Sequence, residues 1–112
     1  MKFYVADITI AAAGTPQQLA IPTGASPAGV FSKISFQPFP GNTGLAYIGL
    51  SGLVKATQAN VLWTMPARGA SDPTSDIFGP EDQGGRNTID CTQFWLDAAV
   101  TAEKIKVIFT ES

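Results

Sequence analysis

The sequence predicts an all-β protein: a single-domain antiparallel β-sandwich, jelly-roll-like or a small barrel, with one long loop. Short runs rich in β-branched and aromatic residues recur between clusters of Gly, Pro, Asn and Ser, as in strands separated by turns. Helical periodicity is hard to find. Because about six short strands must bury their apolar faces against other strands, a sandwich or barrel follows. The 112 residues fit one domain, 1–112, whose loop covers about 66–90.

The first predicted strand covers residues 3–10 and has one apolar face. Its period-2 alternation places Tyr4, Ala6, Ile8 and Ile10 on that face. Glycine and proline then interrupt the pattern, so a turn and a short edge piece follow. We expect this strand to have one buried side.

The second predicted strand covers residues 30–37. Val30, Ile34 and Phe36 alternate with polar residues, which indicates one buried and one solvated face. Pro38 ends the strand because proline has no N–H to donate to a sheet.

The middle of the chain predicts two further strands. Residues 45–50 are nearly all apolar, as is typical of a central strand covered on both faces. In residues 61–65 the odd-numbered side chains share one face. The intervening stretch, 53–60, fits either a loop or a short helical turn.

The last two predicted strands cover residues 93–99 and 105–110. Both alternate apolar with mostly polar side chains. Only residues 100–104 separate them, and a connection this short predicts that the two strands pair as a hairpin.

The long loop is the most polar part of the chain, and loops of this length are often functional. We expect it to reach a partner, with Ile77, Phe78 and Arg86 as the contact candidates. Calcium binding by its acidic residues is an alternative, since oxygen ligands suit that ion; a solvated acidic loop is the simpler reading. These residues are Asp72, Asp76, Glu81 and Asp82.

The chain contains no histidine, which removes the most common catalytic base and zinc ligand. The single cysteine, Cys91, cannot form an intrachain disulfide or a multi-cysteine metal site, and we expect it to be a small buried residue. We therefore predict that the protein is not an enzyme and has no catalytic residues, cofactor or metal. A carboxylate-dependent enzyme stays open as an alternative, with Glu81, Asp82, Asp90 and Asp97 as its acids.

The charge pattern argues against nucleic acid and membrane partners. The formal net charge is −2, and the seven basic residues are scattered rather than clustered into a patch for phosphates. No apolar run approaches the roughly 20 residues of a membrane span. Charged residues make up 14% of the chain, against about 25% in typical domains, so we expect the protein either to rely on neutral polar side chains for solubility or to cover part of its surface with a partner. We expect a soluble protein made in the cytoplasm.

The two tryptophans have different expected roles. Trp63 shares a face with apolar neighbours, which favours the core over an interface. Trp95 alternates with Gln93 and Asp97, on the side opposite the apolar face of its strand. We therefore take Trp95, with Asp97 beside it, as the candidate contact with a neighbouring subunit.

Three stretches together resemble a known group of proteins: AGTPQQL at 13–19, PGNTGLAYIG at 40–49, and FWLDAAV at 94–100 followed by EKIKVIF at 103–109. Their order and spacing are similar to those of small β-rich structural proteins of tailed bacteriophages, such as capsid decoration or cement proteins and minor virion components. The resemblance covers most of the chain except the long loop, which departs from the shorter versions of the family.

The resemblance implies a mechanical function. A decoration protein lies on the outer capsid surface, often as a homotrimer, and stabilises contacts between capsomers. It would be made in the host cytoplasm, and its partners would be the major capsid protein and copies of itself. Two alternatives remain: a tail, connector or head-fibre component, and a carbohydrate-binding β-sandwich with Trp63 or Trp95 as the stacking platform.

Overall fold

The computed structural model describes residues 2–67 and 89–111, and this part of the chain is all-β, as predicted. A single 3-10 turn, Cys91–Gln93, is the one helical segment among the described residues. The nine strands in these described ranges are β1 (Lys2–Thr9), β2 (Gln17–Gln18), β3 (Val30–Phe31), β4 (Lys33–Pro38), β5 (Ala46–Val54), β6 (Ala59–Met65), β7 (Ile89–Asp90), β8 (Trp95–Ala98) and β9 (Lys104–Glu111).

The described strands form three antiparallel sheets. The first has the order β1-β9-β4, the second has the order β2-β8-β5-β6, and the third consists of β3 and β7. In the first sheet β1 and β9 pair along their whole length, from Lys2 opposite Glu111 to Thr9 opposite Lys104. The central position of β5, between β8 and β6, agrees with the covered strand predicted there, and residues 46–49 are buried.

The predicted hairpin between the last two strands is wrong. The strand β8 pairs with β2 and β5, whereas β9 pairs with β1 and β4, so residues 100–104 cross from one sheet to another. Both strands carry a fully buried apolar row, Leu96 and Ala98 in β8 and Ile105 and Val107 in β9. The two rows come from different sheets, and both enter the same core.

The apolar faces expected from alternation supply most of this core. Ile34, Phe36 and Phe109 are fully buried, and the inner face of β1 packs against them. The exception is Val30. The strand predicted over residues 30–37 breaks at Ser32, whose N–H and hydroxyl both donate to the carbonyl of Thr110, at 2.8 and 3.0 Å. The break turns the neighbouring Phe31 into the core and leaves Val30 half-exposed.

Two boundaries also differ from the sequence pattern. The ambiguous stretch 53–60 is neither helix nor long loop, because β5 continues to Val54 and β6 begins at Ala59 after a tight turn. The strand expected to begin at Gln93 begins at Trp95, after the 3-10 turn. Asp90 stabilises that turn, since its Oδ1 accepts hydrogen bonds from both N–H and hydroxyl of Thr92.

Candidate functional site

The first predicted interface residue, Trp95, lies half-exposed at the start of β8. It is opposite Gln18 of β2 and Gly49 of β5. This position leaves part of the indole at the surface. A contact between Trp95 and another subunit stays a prediction.

Asp97 does not lie on an exposed face beside Trp95, contrary to the sequence-based expectation. Its exposed fraction is 1%. Its Oδ1 accepts hydrogen bonds from the backbone N–H of Gly14, at 2.9 Å, and of Ala98, at 2.7 Å. Period-2 alternation predicts the wrong environment here because the 11–18 loop covers this carboxylate. The carboxylate in turn accepts a hydrogen bond from the backbone of that loop. Asp97 is therefore a structural residue that fixes the loop to β8.

The remaining predicted interface residues, Ile77, Phe78 and Arg86, lie outside the described residues. The same is true of the acidic residues considered for calcium, 72–82. Within residues 2–67 and 89–111 there is no group of three acidic or sulfur side chains placed to share a metal ion.

A cleft of about 440 Å³ opens beside Trp63. Trp63 and Phe94 form an aromatic wall with ring centroids 6.4 Å apart, and both pack against Phe36. Leucine and isoleucine side chains continue the apolar surface, while the polar side chains of Asp90 and Gln93 also line it. Trp63 packs against the core, as the sequence favours, and also lines the cleft; an interface role for it stays a prediction.

Two titratable residues, Asp90 and Cys91, lie at the start of the 3-10 turn. The hydrogen bonds from Thr92 lower the pKa of Asp90 below its ordinary value, so this carboxylate is ionised at neutral pH. Burial raises the pKa of the Cys91 thiol, and the charge of Asp90 adds to the effect. Cys91 is fully buried and free, as predicted for a small core residue.

The most exposed large apolar side chains in the described structure lie on β1. Phe3 is 65% exposed and Val5 is 60% exposed, on the outer face of the three-stranded sheet. In the ladder with β9, Val5 lies opposite the half-exposed Ile108, which extends the apolar surface inward from the edge. Sequence reasoning missed this site because it considered only the face formed by Tyr4, Ala6, Ile8 and Ile10. The signal was present: apolar residues at positions 3 and 5 alternate with the apolar inner residues, as in a strand covered on both sides.

The β1 strand is also an unpaired edge among the described strands. The backbone N–H of Ile10 donates to Glu103, and its carbonyl accepts from Ala102, so the even-numbered residues direct their backbone groups toward β9. The odd-numbered residues therefore direct theirs toward the open edge. Consistently, the carbonyl of Thr9 accepts a hydrogen bond from the Gln17 side chain on that side, at 3.2 Å. Within residues 2–67 and 89–111, the backbone groups without a hydrogen-bond partner at this edge are those of Phe3, Val5 and Asp7.

No family model matches the chain, and neither the curated proteins nor the solved structures give a significant match. Over the described part of the chain, no helix has the length and apolar character that crossing a membrane requires.

Proposed function

We propose that this protein is a structural virion protein of a tailed phage, a capsid decoration protein that binds the outer capsid surface and stabilises contacts between capsomers. Its partners are the major capsid protein and further copies of itself. One observation carries the proposal: the open edge of β1 carries Phe3 and Val5 as an exposed apolar row. We also propose that the two larger sheets face each other as a β-sandwich, since both send apolar rows into one core.

An open apolar edge supports an assembling role because isolated proteins normally protect such edges. Edge strands are commonly short or interrupted, or carry lysine or proline, which prevents uncontrolled pairing. The β4 edge has both Lys33 and Pro38, and β2 has only two residues. By contrast, β1 is eight residues long and regular. Its exposed apolar pair is best accounted for by a partner that covers it on the particle.

Cryo-electron microscopy of the intact particle from the source tests the proposal. We expect density for this chain on the outer shell, next to the major capsid protein. Density only on the tail or connector would replace the decoration role with the alternative virion role, and absence from every particle would refute both. Particles assembled with Val5→Lys should lose this density. Val54→Lys is the matched control, because Val54 is also an exposed apolar strand residue, at 46%, but lies on β5.

The cleft beside Trp63 favours carbohydrate binding as a second candidate function. An aromatic wall next to a carboxylate and an amide offers both stacking and hydrogen bonding to a sugar. Binding on a glycan array that is lost in Trp63→Ala and retained in Trp95→Ala would support it, since Trp95 does not line the cleft. Absence of binding by the wild-type protein on the array would count against it.

A further inference from the structure

We propose that two copies of this chain associate through antiparallel pairing of their β1 strands about a two-fold axis, with Phe3 of each copy opposite Val5 of the other. The inference rests on the proposed function, for which it names the partner of the β1 edge.

The hydrogen-bonding groups of β1 specify what kind of partner fits. Phe3, Val5 and Asp7 present backbone N–H and C=O groups at the open edge, alternating as in any strand. An added strand satisfies these groups, and main-chain hydrogen bonds supply its affinity. A groove of about 470 Å³ lies beside this strand and is lined by residues of β1 and by residues 20–23.

Symmetry makes β1 a suitable partner for itself. A two-fold axis perpendicular to the sheet keeps the outer faces of the two copies on the same side. Odd-numbered residues of one β1 strand therefore lie opposite odd-numbered residues of the other. Those same residues carry the free backbone groups. Self-pairing therefore matches hydrogen-bond donors with acceptors and places the exposed apolar face of one copy next to that of the other.

The exposed side chains select the register. When Phe3 lies opposite Val5 of the second copy, the two-fold axis passes beside Tyr4 and both exposed apolar side chains of each copy gain an apolar neighbour. This register also places Lys2 opposite Ala6, so that no like charges meet. A shift by two residues in one direction would place Phe3 opposite Asp7, whose carboxylate is bound to Lys106 at 2.8 Å, and a shift in the other direction would pair Phe3 with Phe3 and carry Val5 past the end of β1.

Sedimentation equilibrium of the purified chain at micromolar concentration tests the pairing. We expect a mass twice that of the 11.7 kDa chain for the wild type and for Val54→Lys, and the single-chain mass for Val5→Lys. The lysine should separate the copies because it places two positive charges in the shared ladder. A monomeric or trimeric wild type, or a Val5→Lys variant that stays dimeric, would overturn the proposal.

Cross-linking tests the register and does not depend on the lysine variant. Phe3→Cys protein mixed with Val5→Cys protein should form a disulfide-linked dimer, because directly opposite residues in a hydrogen-bonded pair lie about 5.5 Å apart between Cα atoms. Each variant alone should cross-link much less. Equal cross-linking in all three samples would contradict this register. If wild-type particles carry density for the chain but the isolated protein is monomeric, the decoration role stands and self-pairing is wrong.

Discussion

The side chain of Glu103 binds the backbone of Gly44. Its Oε1 accepts the Gly44 N–H at 2.9 Å, and its Oε2 accepts both the N–H and the hydroxyl of Thr43. One carboxylate thus joins the connection between β8 and β9 to the loop before β5. This contact helps to hold the crossover between the two sheets.

Replacing Glu103 by Ala should lower the free energy of unfolding by about 1–3 kcal/mol, because two backbone N–H groups lose their acceptor. Urea unfolding followed by circular dichroism measures the change. Asp7→Ala is the control, since it removes a carboxylate from a half-exposed ion pair and should cost less than about 1 kcal/mol. Equal losses in the two variants would mean that the Glu103 contact is no stronger than a surface ion pair.

Gly49→Ala should destabilise the protein by about 1–3 kcal/mol or more, since overpacking forces its surroundings to move. An added Cβ would overlap the carbonyl oxygen of Asn60 and would lie 2.6 Å from the Leu53 side chain. The close approach occurs where the β5–β6 register shifts. Thermal unfolding measures the effect, and Ser51→Ala, at an exposed position of the same strand, should leave the melting temperature nearly unchanged. A normal melting temperature for Gly49→Ala would show that this part of the hairpin is loosely packed.

Asp97→Ala should reduce the free energy of unfolding by about 1–3 kcal/mol, whereas Asp97→Asn should lose less because an amide oxygen still accepts the Gly14 N–H. Denaturant unfolding of the free protein distinguishes this structural role from an interface role. If both variants unfold like the wild type but fail to join the particle, Asp97 acts at an interface after all.

Cys91 should react with a thiol reagent only when the protein unfolds. Its thiol is fully buried, and burial raises its pKa, so little reactive thiolate is present. Because the folded-state pKa lies above the unfolded one, the unfolded state loses its proton first as the pH rises. Stability should therefore decline as the pH passes through about 8.5 and upward, the range where an unfolded thiol ionises.

Measuring the free energy of unfolding between pH 7 and pH 10 checks the sign of this effect. Cys91→Ala should show a smaller decline than the wild type over this range. Rapid modification of the folded protein, at a rate independent of denaturant, would show that the thiol is accessible without unfolding.

The strands could be predicted from the sequence because alternation is a local property. The inward-facing rows of β4, β6 and β9 follow directly from residues such as Ile34, Trp63 and Val107 and from their neighbours at a spacing of two. Pairing between strands is not local. Residues 100–104 are short enough for a hairpin, yet the Glu103 carboxylate and the need to bury two apolar rows direct β8 and β9 to different sheets.

The candidate sites show the same limit. Asp97 alternates like a surface residue, but the distant Gly14 covers it. Phe3 and Val5 alternate like residues of a covered strand, but no described strand lies beyond them. Burial of a side chain depends on segments far away in the chain, and a period of two only says which side chains share a face.

The pairing of β1 with β9 joins segments that lie about 100 positions apart along the chain. Closing so large a loop is entropically costly, so this sheet should complete late in folding, after the β5–β6 hairpin has formed from neighbouring residues. Until β9 pairs with β1, both edges of β1 can form hydrogen bonds with other chains. The temperature and concentration at which the protein is synthesised should therefore govern its yield more strongly than its final stability does, because early encounters between unfinished chains compete with folding.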